Sequence, residues 1–432
     1  MTFKYVYADF SKSERRVKPV NSVNLSTLSM FPEVIAELAP PTVRLSGDDA
    51  IYIEDIFPDF NLDERFPESY DFSRLDSSLA KVKSTGSDIF LSVSKCRSPY
   101  SLYNRLFSDS EKIAKIIEKI IAHYNLGWGC GFKYKIKYVE LFPSALDGER
   151  FSSREEFFAL YKTVATRLKH TYPKLKVGAY SQDGFFALNH FDASEKEKSY
   201  VSDLEDFLGF VSAKGEKLPL DFLSWKCYAE SPEELSLHTN YANSYLMQFG
   251  LRRTESIVSE FNLATEYNPL SAKEYPSELA SSLILAEKSS ADMMFYSDLT
   301  PHSHLNSLYT VDDGESIHRY AAYSVLQSFS ELARMKNRVE ISEDYRRELY
   351  MLAAKDGDEG AILLVTRGYQ GMVELSVKGS TYTAYSIKGI LGGGKRGVGV
   401  VREATDIPLS PKIQLKVGKN EVYRIRLYGK HD

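Results

Sequence analysis

Cysteine is scarce. Cys96, Cys130 and Cys227 are the only three in 432 residues, none in a Cys-x-x-Cys spacing, so neither a disulfide framework nor a zinc site is expected. No stretch approaches the length of a membrane span, and Met1–Phe10 has no apolar core of a signal peptide. The chain is therefore expected to be soluble, either cytoplasmic or exported by a signal that the sequence does not contain. There is no basic excess: 54 Lys and Arg stand against 59 Asp and Glu, for a net charge of −5, which argues against nucleic acid as a partner. No internal repeat or low-complexity tract occurs. A glycine-rich phosphate turn after the first strand is missing too, which disfavours an open dinucleotide-binding sheet. Gly392–Gly397 lacks the Gly-Lys-Ser/Thr spacing of a phosphate loop and reads as a hairpin turn.

What is present is alternation. Between Pro19 and Met335, short β-branched or aromatic runs exchange with segments of helical period. Eight strands are predicted: Pro19–Val23, Thr42–Leu45, Asp88–Val93, Tyr138–Phe142, Lys176–Tyr180, Phe222–Trp225, Ser256–Phe261 and Met293–Tyr296. Several are continuously apolar, as strands covered on both faces are. Helices are predicted over Asp109–Asn125, Arg154–Thr171, Glu274–Ser289 and Glu315–Met335; the first carries Ile113, Ile116, Ile117, Ile120, Ile121 and Tyr124 on one face. The expected fold is an α/β eight-stranded (β/α) barrel over residues 19–335. After Met335 the helical period disappears. Ala361–Thr366, Met372–Val377, Thr381–Ile387, Lys412–Val417 and Glu421–Leu427 read as strands of a β-sandwich over 336–432, which the strand Phe3–Ala8 within residues 1–18 would join.

In a barrel, the C-terminal strand ends and the loops after them build the site. Arg44 to Asp49, Glu140 to Ser144, Ser224 to Tyr228 and Ser259 to Asn262 occupy such ends. A carboxylate there costs desolvation energy unless partnered, and Lys226 is the natural partner for Glu260.

These segments carry a resemblance. Val43-Arg-Leu-Ser-Gly-Asp-Asp49, Tyr70-Asp-Phe-Ser-Arg-Leu-Asp76, Tyr138-Val-Glu-Leu-Phe142, Glu156-Phe-Phe-Ala-Leu-Tyr161, Lys176-Val-Gly178, Asp221-Phe-Leu-Ser-Trp225 and Ser259-Glu-Phe-Asn262 follow one another in order. Together they are similar to glycoside hydrolase family 39, the β-xylosidase and α-L-iduronidase family. The resemblance implies a retaining mechanism on a carbohydrate substrate, with two carboxyls about 5–5.5 Å apart. No cofactor is expected, and no metal, since His302-x-His304 has no third placed ligand. Glu260 falls on the nucleophile position. Ser144 occupies the acid/base position, where the family has Asn-Glu-Pro, and Ser46 and Lys226 replace two family histidines. Asp147 and Glu149, in the same loop as Ser144, are candidate substitute acids. Asp48, Asp49, Glu140, Phe142, Trp225, Tyr228, Asn262, Tyr296 and Asp298 are candidate sugar contacts, with His302 and His304 on the rim. The lost acid leaves two expectations open: a divergent glycosidase, or a sugar-binding protein without turnover. The sequence does not disclose the oligomeric state.

Overall fold

The computed structural model describes residues 3–25, 31–46, 50–97, 109–146, 151, 153–263, 270–297, 308–312, 316–342, 347–393 and 400–429. After β1 (Phe3–Ser13), the chain lays down β2 (Ser22–Leu25), β3 (Thr42–Leu45), the short β4 (Ile51–Tyr52), β5 (Asp88–Ser94), β6 (Tyr138–Leu141), β7 (Lys176–Asp183), β8 (Phe222–Ala229), β9 (Glu255–Leu263) and β10 (Met293–Tyr296). All of these but β1 pair in parallel. β2 pairs with both β3 and β10, and β3 also pairs with β5, which closes eight strands into a barrel; β4 only extends the rim beside β5.

The helices fall between the strands: α1 (Pro32–Leu38), α2 (Ile53–Ile56), α3 (Ser73–Ser84), α4 (Ser110–Asn125), α5 (Arg154–Thr171), α6 (Glu195–Val211), α7 (Pro232–Gln248), α8 (Tyr275–Lys288) and α9 (Ala321–Arg334). Their starts follow local chemistry. Asp109 accepts from the amides of Glu111 and Lys112, Ser153 from Glu156 and Ser231 from Glu234, while Ser194 and Glu197 form a reciprocal box. The last helix begins later than its apolar pattern suggests. Ser316–Arg319 is a strand, β12, paired antiparallel with β11 (Tyr309–Asp312), and its exposure alternates with period two.

The remaining strands are β13 (Asn337–Ile341), β14 (Tyr350–Asp356), β15 (Glu359–Thr366), β16 (Gly371–Lys378), β17 (Ala384–Leu391), β18 (Val400–Pro408), β19 (Lys412–Val417) and β20 (Glu421–Tyr428). They form an accessory β-domain, but as one sheet rather than the two of a simple sandwich. The order is β18-β17-β20-β15-β14-β13-β1-β16-β19. β13 passes between the two layers: Asn337 and Arg338 pair with β14, whereas Val339–Ile341 pair with β1. The sheet thereby curls around a core that includes Val6, Phe10, Met351, Ile362, Leu375 and Ile425. The segment between the antiparallel partners β17 and β18 contains Gly392–Gly397, but residues 394–399, and with them the expected turn, lie outside the described set.

Alternation makes β14 and β15 two-sided. Met351 and Ala353 face the sheet's own core, whereas Tyr350, Leu352 and Ala354 join the barrel's outer core. Charge follows the same seam. Arg15 and Arg338 reach the fully buried Glu287 at 2.8 and 3.3 Å, Arg367 reaches Glu233 and Glu278 at 2.5 and 2.7 Å, and Arg424 and Arg426 meet Glu331. Arginines from the β-domain and its lead-in thus pair with glutamates on α7, α8 and α9.

Candidate active site

The barrel interior is stratified. At the N-terminal end of the strands lies an apolar floor of Phe90, Phe222, Ile257, Met293 and Phe295, capped by Tyr138. Phe90 packs against Phe295 and Phe222 with ring centres 5.0 and 5.4 Å apart. One layer up the interior turns ionic. Arg44 donates through Nε and Nη2 to Glu140 Oε2 at 3.0 and 2.7 Å, and through Nη1 to Asn24 Oδ1 at 3.0 Å. Ser92 adds a 2.7 Å hydrogen bond to the same Glu140 oxygen. Arg44 and Glu140 are 2 % and 0 % exposed, so each ion depends on the other for its burial.

Above this pair the strands β7 and β9 each carry a bulge, and the bulges decide what faces the axis. In β7, Tyr180 points outward, stacked on Phe207 with its hydroxyl donating to the Tyr200 carbonyl, while Ser181 turns inward. Both have positive φ, 103° and 45°, which is strained for non-glycine residues. The register with β8 slips there, and Asp183 comes level with Lys226. In β9 the slip falls at Ser259, after which Glu260 comes level with Lys226 from the other side. Were both strands regular, period-two alternation counted from Gly178 and Ile257 would aim both carboxylates at the helices. The two inward serines meet: Ser181 Oγ lies 2.7 Å from Ser259 Oγ.

Glu260 ends up at the mouth, its side chain 17 % exposed. Arg44 Nη1 and Lys226 Nζ both stand 3.5 Å from its Oε1, and the Tyr228 hydroxyl donates to Oε2 at 3.1 Å. Burial opposes its charge. The charges of Lys226 and Arg44, with hydrogen bonds from Tyr228 and Lys226, outweigh that cost and hold the carboxyl below the ordinary glutamate range. The arrangement keeps Glu260 ionised, oriented and open to the mouth, which is the state a carboxylate nucleophile needs. Tyr228 is itself tied to Ser297 Oγ at 3.1 Å.

Ser144 does not reach outward. Its amide donates to the Tyr180 carbonyl at 3.0 Å and its hydroxyl to the Ser181 carbonyl at 2.9 Å. Ser144 and Phe142 also take positive φ, 54° and 55°. Ser144 is therefore a clamp on the β7 bulge.

The predicted residues divide accordingly. Glu260, Lys226 and Tyr228 converge, and Ser46, half-buried at the end of β3, stands on the same rim. Five others are sealed away from any ligand at the mouth. Trp225 is 1 % exposed because alternation turns it toward the helices, where its Nε1 donates to Ser256 Oγ and its ring meets Phe185. Tyr296 faces α8 and bonds Tyr275, Phe142 packs on Phe151, and Glu140 lies a layer below with Arg44. Asn262 is 3 % exposed and bonds the Ser297 carbonyl at 2.5 Å, supporting Tyr228's partner rather than touching a ligand. Asp48, Asp49, Asp147, Glu149, Asp298, His302 and His304 lie outside the described residues. Arg44 was noted only as the start of the Arg44–Asp49 strand end, without a role, and Asp183 and the paired bulges were not singled out from the sequence. A polar strand end such as Ser181-Gln-Asp183 reads as a loop, and its length beyond Tyr180 was the one available signal. No group of three His, Cys, Asp or Glu side chains able to hold a metal occurs among the described residues, nor does a helix long and apolar enough to cross a membrane.

The closed (β/α) barrel with an accessory β-domain gives the chain a glycoside hydrolase-like fold. The structural neighbours agree. A glucosidase from Croceicoccus marinus superposes with a TM-score of 0.80 at 17% identity, covering 100% of both chains. A monomeric β-xylosidase from Caulobacter crescentus gives 0.69 at 12% identity, over 99% of this chain and 100% of that one. A bacterial orthologue of human α-L-iduronidase gives 0.68 at 12% identity, over 100% of this chain and 84% of that one. No protein-family model and no curated protein sequence matches the chain.

Proposed function

We propose that this protein is a glycoside hydrolase that cleaves an O-glycosidic bond with retention of configuration, on the plan of family 39. The observation that carries the reading is Glu260, held ionised by Arg44, Lys226 and Tyr228 while remaining open at the barrel mouth. In this reaction the Glu260 carboxylate attacks the anomeric carbon as the glycosidic C–O bond breaks, and water then releases the glycosyl-enzyme. Tyr228 and Lys226 orient the attacking oxygen, and Ser46 contributes to sugar binding. The test is a panel of aryl glycosides of different sugars, given to the wild type and to Glu260→Gln. Turnover of at least one glycoside, abolished by the substitution, supports the reading; turnover that survives it refutes Glu260 as nucleophile.

One observation favours a second reading, a sugar-binding protein without turnover. Ser144 stands at the family's acid position and spends its hydroxyl on the Ser181 carbonyl. Sugar binding by calorimetry, combined with inertness toward every aryl glycoside, would select that reading.

A further inference from the structure

Resting on the glycosidase reading, we propose that Asp183 is the general acid/base of this site, the function having moved from the fourth barrel strand to the fifth. Above the floor, the described barrel strands carry three carboxylates: Glu140, Asp183 and Glu260. Glu140 is fully buried and committed to Arg44 and Ser92. Asp183 and Glu260 flank one residue, Lys226, on three consecutive parallel strands. Adjacent strands lie about 4.8 Å apart, so the two backbones are separated by about 10 Å across β8. Side chains on these strands converge well inside that distance, since Ser181 and Ser259 touch just below at 2.7 Å. A carboxyl pair leaning in from that frame falls within the range over which glycosidase carboxyls work, about 5–9.5 Å, and retention needs the short end of it.

The strain points the same way. The barrel register slips at two bulges among the described strands, the β9 bulge shifting its pairing with both β8 and β10. Each bulge comes just before one of these two carboxylates and changes the alternation so that the carboxylate faces inward. The β7 bulge is the costlier, with φ of 103° at Tyr180, and it is held by Ser144, the residue standing where the family's acid belongs. Just beyond, Gly184 lets β7 run against β8: a Cβ there would meet the Lys226 carbonyl at 2.7 Å and His238 Nδ1 at 3.0 Å. Asp183 is thus fixed from below by a clamped bulge and from above by a close backbone approach. Burial and then the Glu260 charge push the Tyr228 hydroxyl up, and the Asp183 charge adds a smaller push in the same direction.

The steps balance without a co-reactant. As Glu260 bonds to the anomeric carbon, the departing glycosidic oxygen takes the proton from Asp183. Water then loses a proton to the Asp183 carboxylate while its oxygen displaces Glu260, restoring both groups. Ser144 acts as a positioning residue through the bulge.

The experiment compares wild type, Asp183→Asn and Glu260→Gln on two glycosides of whichever sugar the aryl panel identifies: a dinitrophenyl glycoside, whose phenolate leaves unprotonated, and the matching methyl glycoside. Asp183→Asn should lower kcat/KM for the methyl glycoside about 10²–10⁴-fold and leave the dinitrophenyl substrate nearly untouched. Azide should accelerate the variant and yield a glycosyl azide of retained configuration, and the basic limb of the wild-type pH profile should vanish. The ratio of the two kcat/KM values does not depend on the folded fraction, so even a poorly folding variant remains informative. An unchanged ratio overturns the proposal while leaving Glu260 as nucleophile intact. Wild-type inertness toward every aryl glycoside overturns both.

Discussion

The two ends of the barrel interior are built on opposite principles. The floor is five apolar side chains and a tyrosine ring, fitted by shape, in which no charge must be balanced. The mouth and the layer beneath it hold Arg44, Glu140, Lys226 and Glu260, in which each ion is tolerable only because of its neighbours. Shape tolerates substitution of similar volume, whereas an ionic network loses most when one member is removed. The floor therefore holds the eight strands together, and the mouth spends stability to keep one carboxylate charged and accessible.

The sharpest break of that comparison is Arg44→Met. It strands Glu140 and Glu260 together and should cost about 3–5 kcal/mol, read as a fall in urea midpoint at pH 7. A second test lies behind β8, where His238 is fully buried and receives the Cys227 thiol at 3.6 Å while its Nε2 donates to Asn189 at 2.9 Å. Burial holds its pKa at about 4, although Glu234 favours the charged form and His190 opposes it. A histidine whose folded pKa is depressed contributes its stability fully above the unfolded value, about 6.5, and loses it as pH falls toward the folded one. Melting curves between pH 6.5 and 4 should show a loss of about 3 kcal/mol that is absent in His238→Gln, which has no proton to gain. At the floor, Met293→Leu should cost less than about 1.5 kcal/mol in the same urea assay, because shape and volume nearly carry over. Ser144→Ala removes one hydrogen bond from the β7 bulge and should cost about 1 kcal/mol. The smallest change is electrostatic. In Lys226→Met the Glu260 carboxyl loses a nearby cation, so the acid limb of kcat/KM should move to higher pH, the reverse of what loss of a neighbouring carboxylate would do.

The same contrast explains what could be read from the sequence. Thr42–Leu45 and Met293–Tyr296 are short runs of strand-forming residues bounded by turns, and the strands fall on those residues. β7, β8 and β9 run past their predicted ends into Ser181–Asp183, Lys226–Ala229 and Asn262–Leu263, because strand ends that build a site are partly polar and so resemble loops. Facing was harder than location. Tyr296 ends its strand, as expected, whereas Trp225 lies mid-strand because β8 runs on to Ala229, and alternation turns both to the helices. Glu260 and Asp183 face inward only because a bulge adds a residue, and a bulge of ordinary serines leaves no mark in composition. Five of the β-domain's later strands were legible from turn-bounded apolar runs, β17 three to four residues early, but β13, β14 and β18 were not. Its single curled sheet depends on β13 changing partners midway, a tertiary choice that no local pattern encodes.

The account stands on Glu260 forming a covalent bond to sugar, and a slow substrate can trap that bond. The wild type would be incubated with 2-deoxy-2-fluoro dinitrophenyl glycosides of the sugar it cleaves, digested, and its peptides weighed. The account predicts one fluoroglycosyl adduct, on the peptide containing Glu260, and none in Glu260→Gln. An adduct on a different carboxylate, or turnover that releases product of inverted configuration, would contradict it.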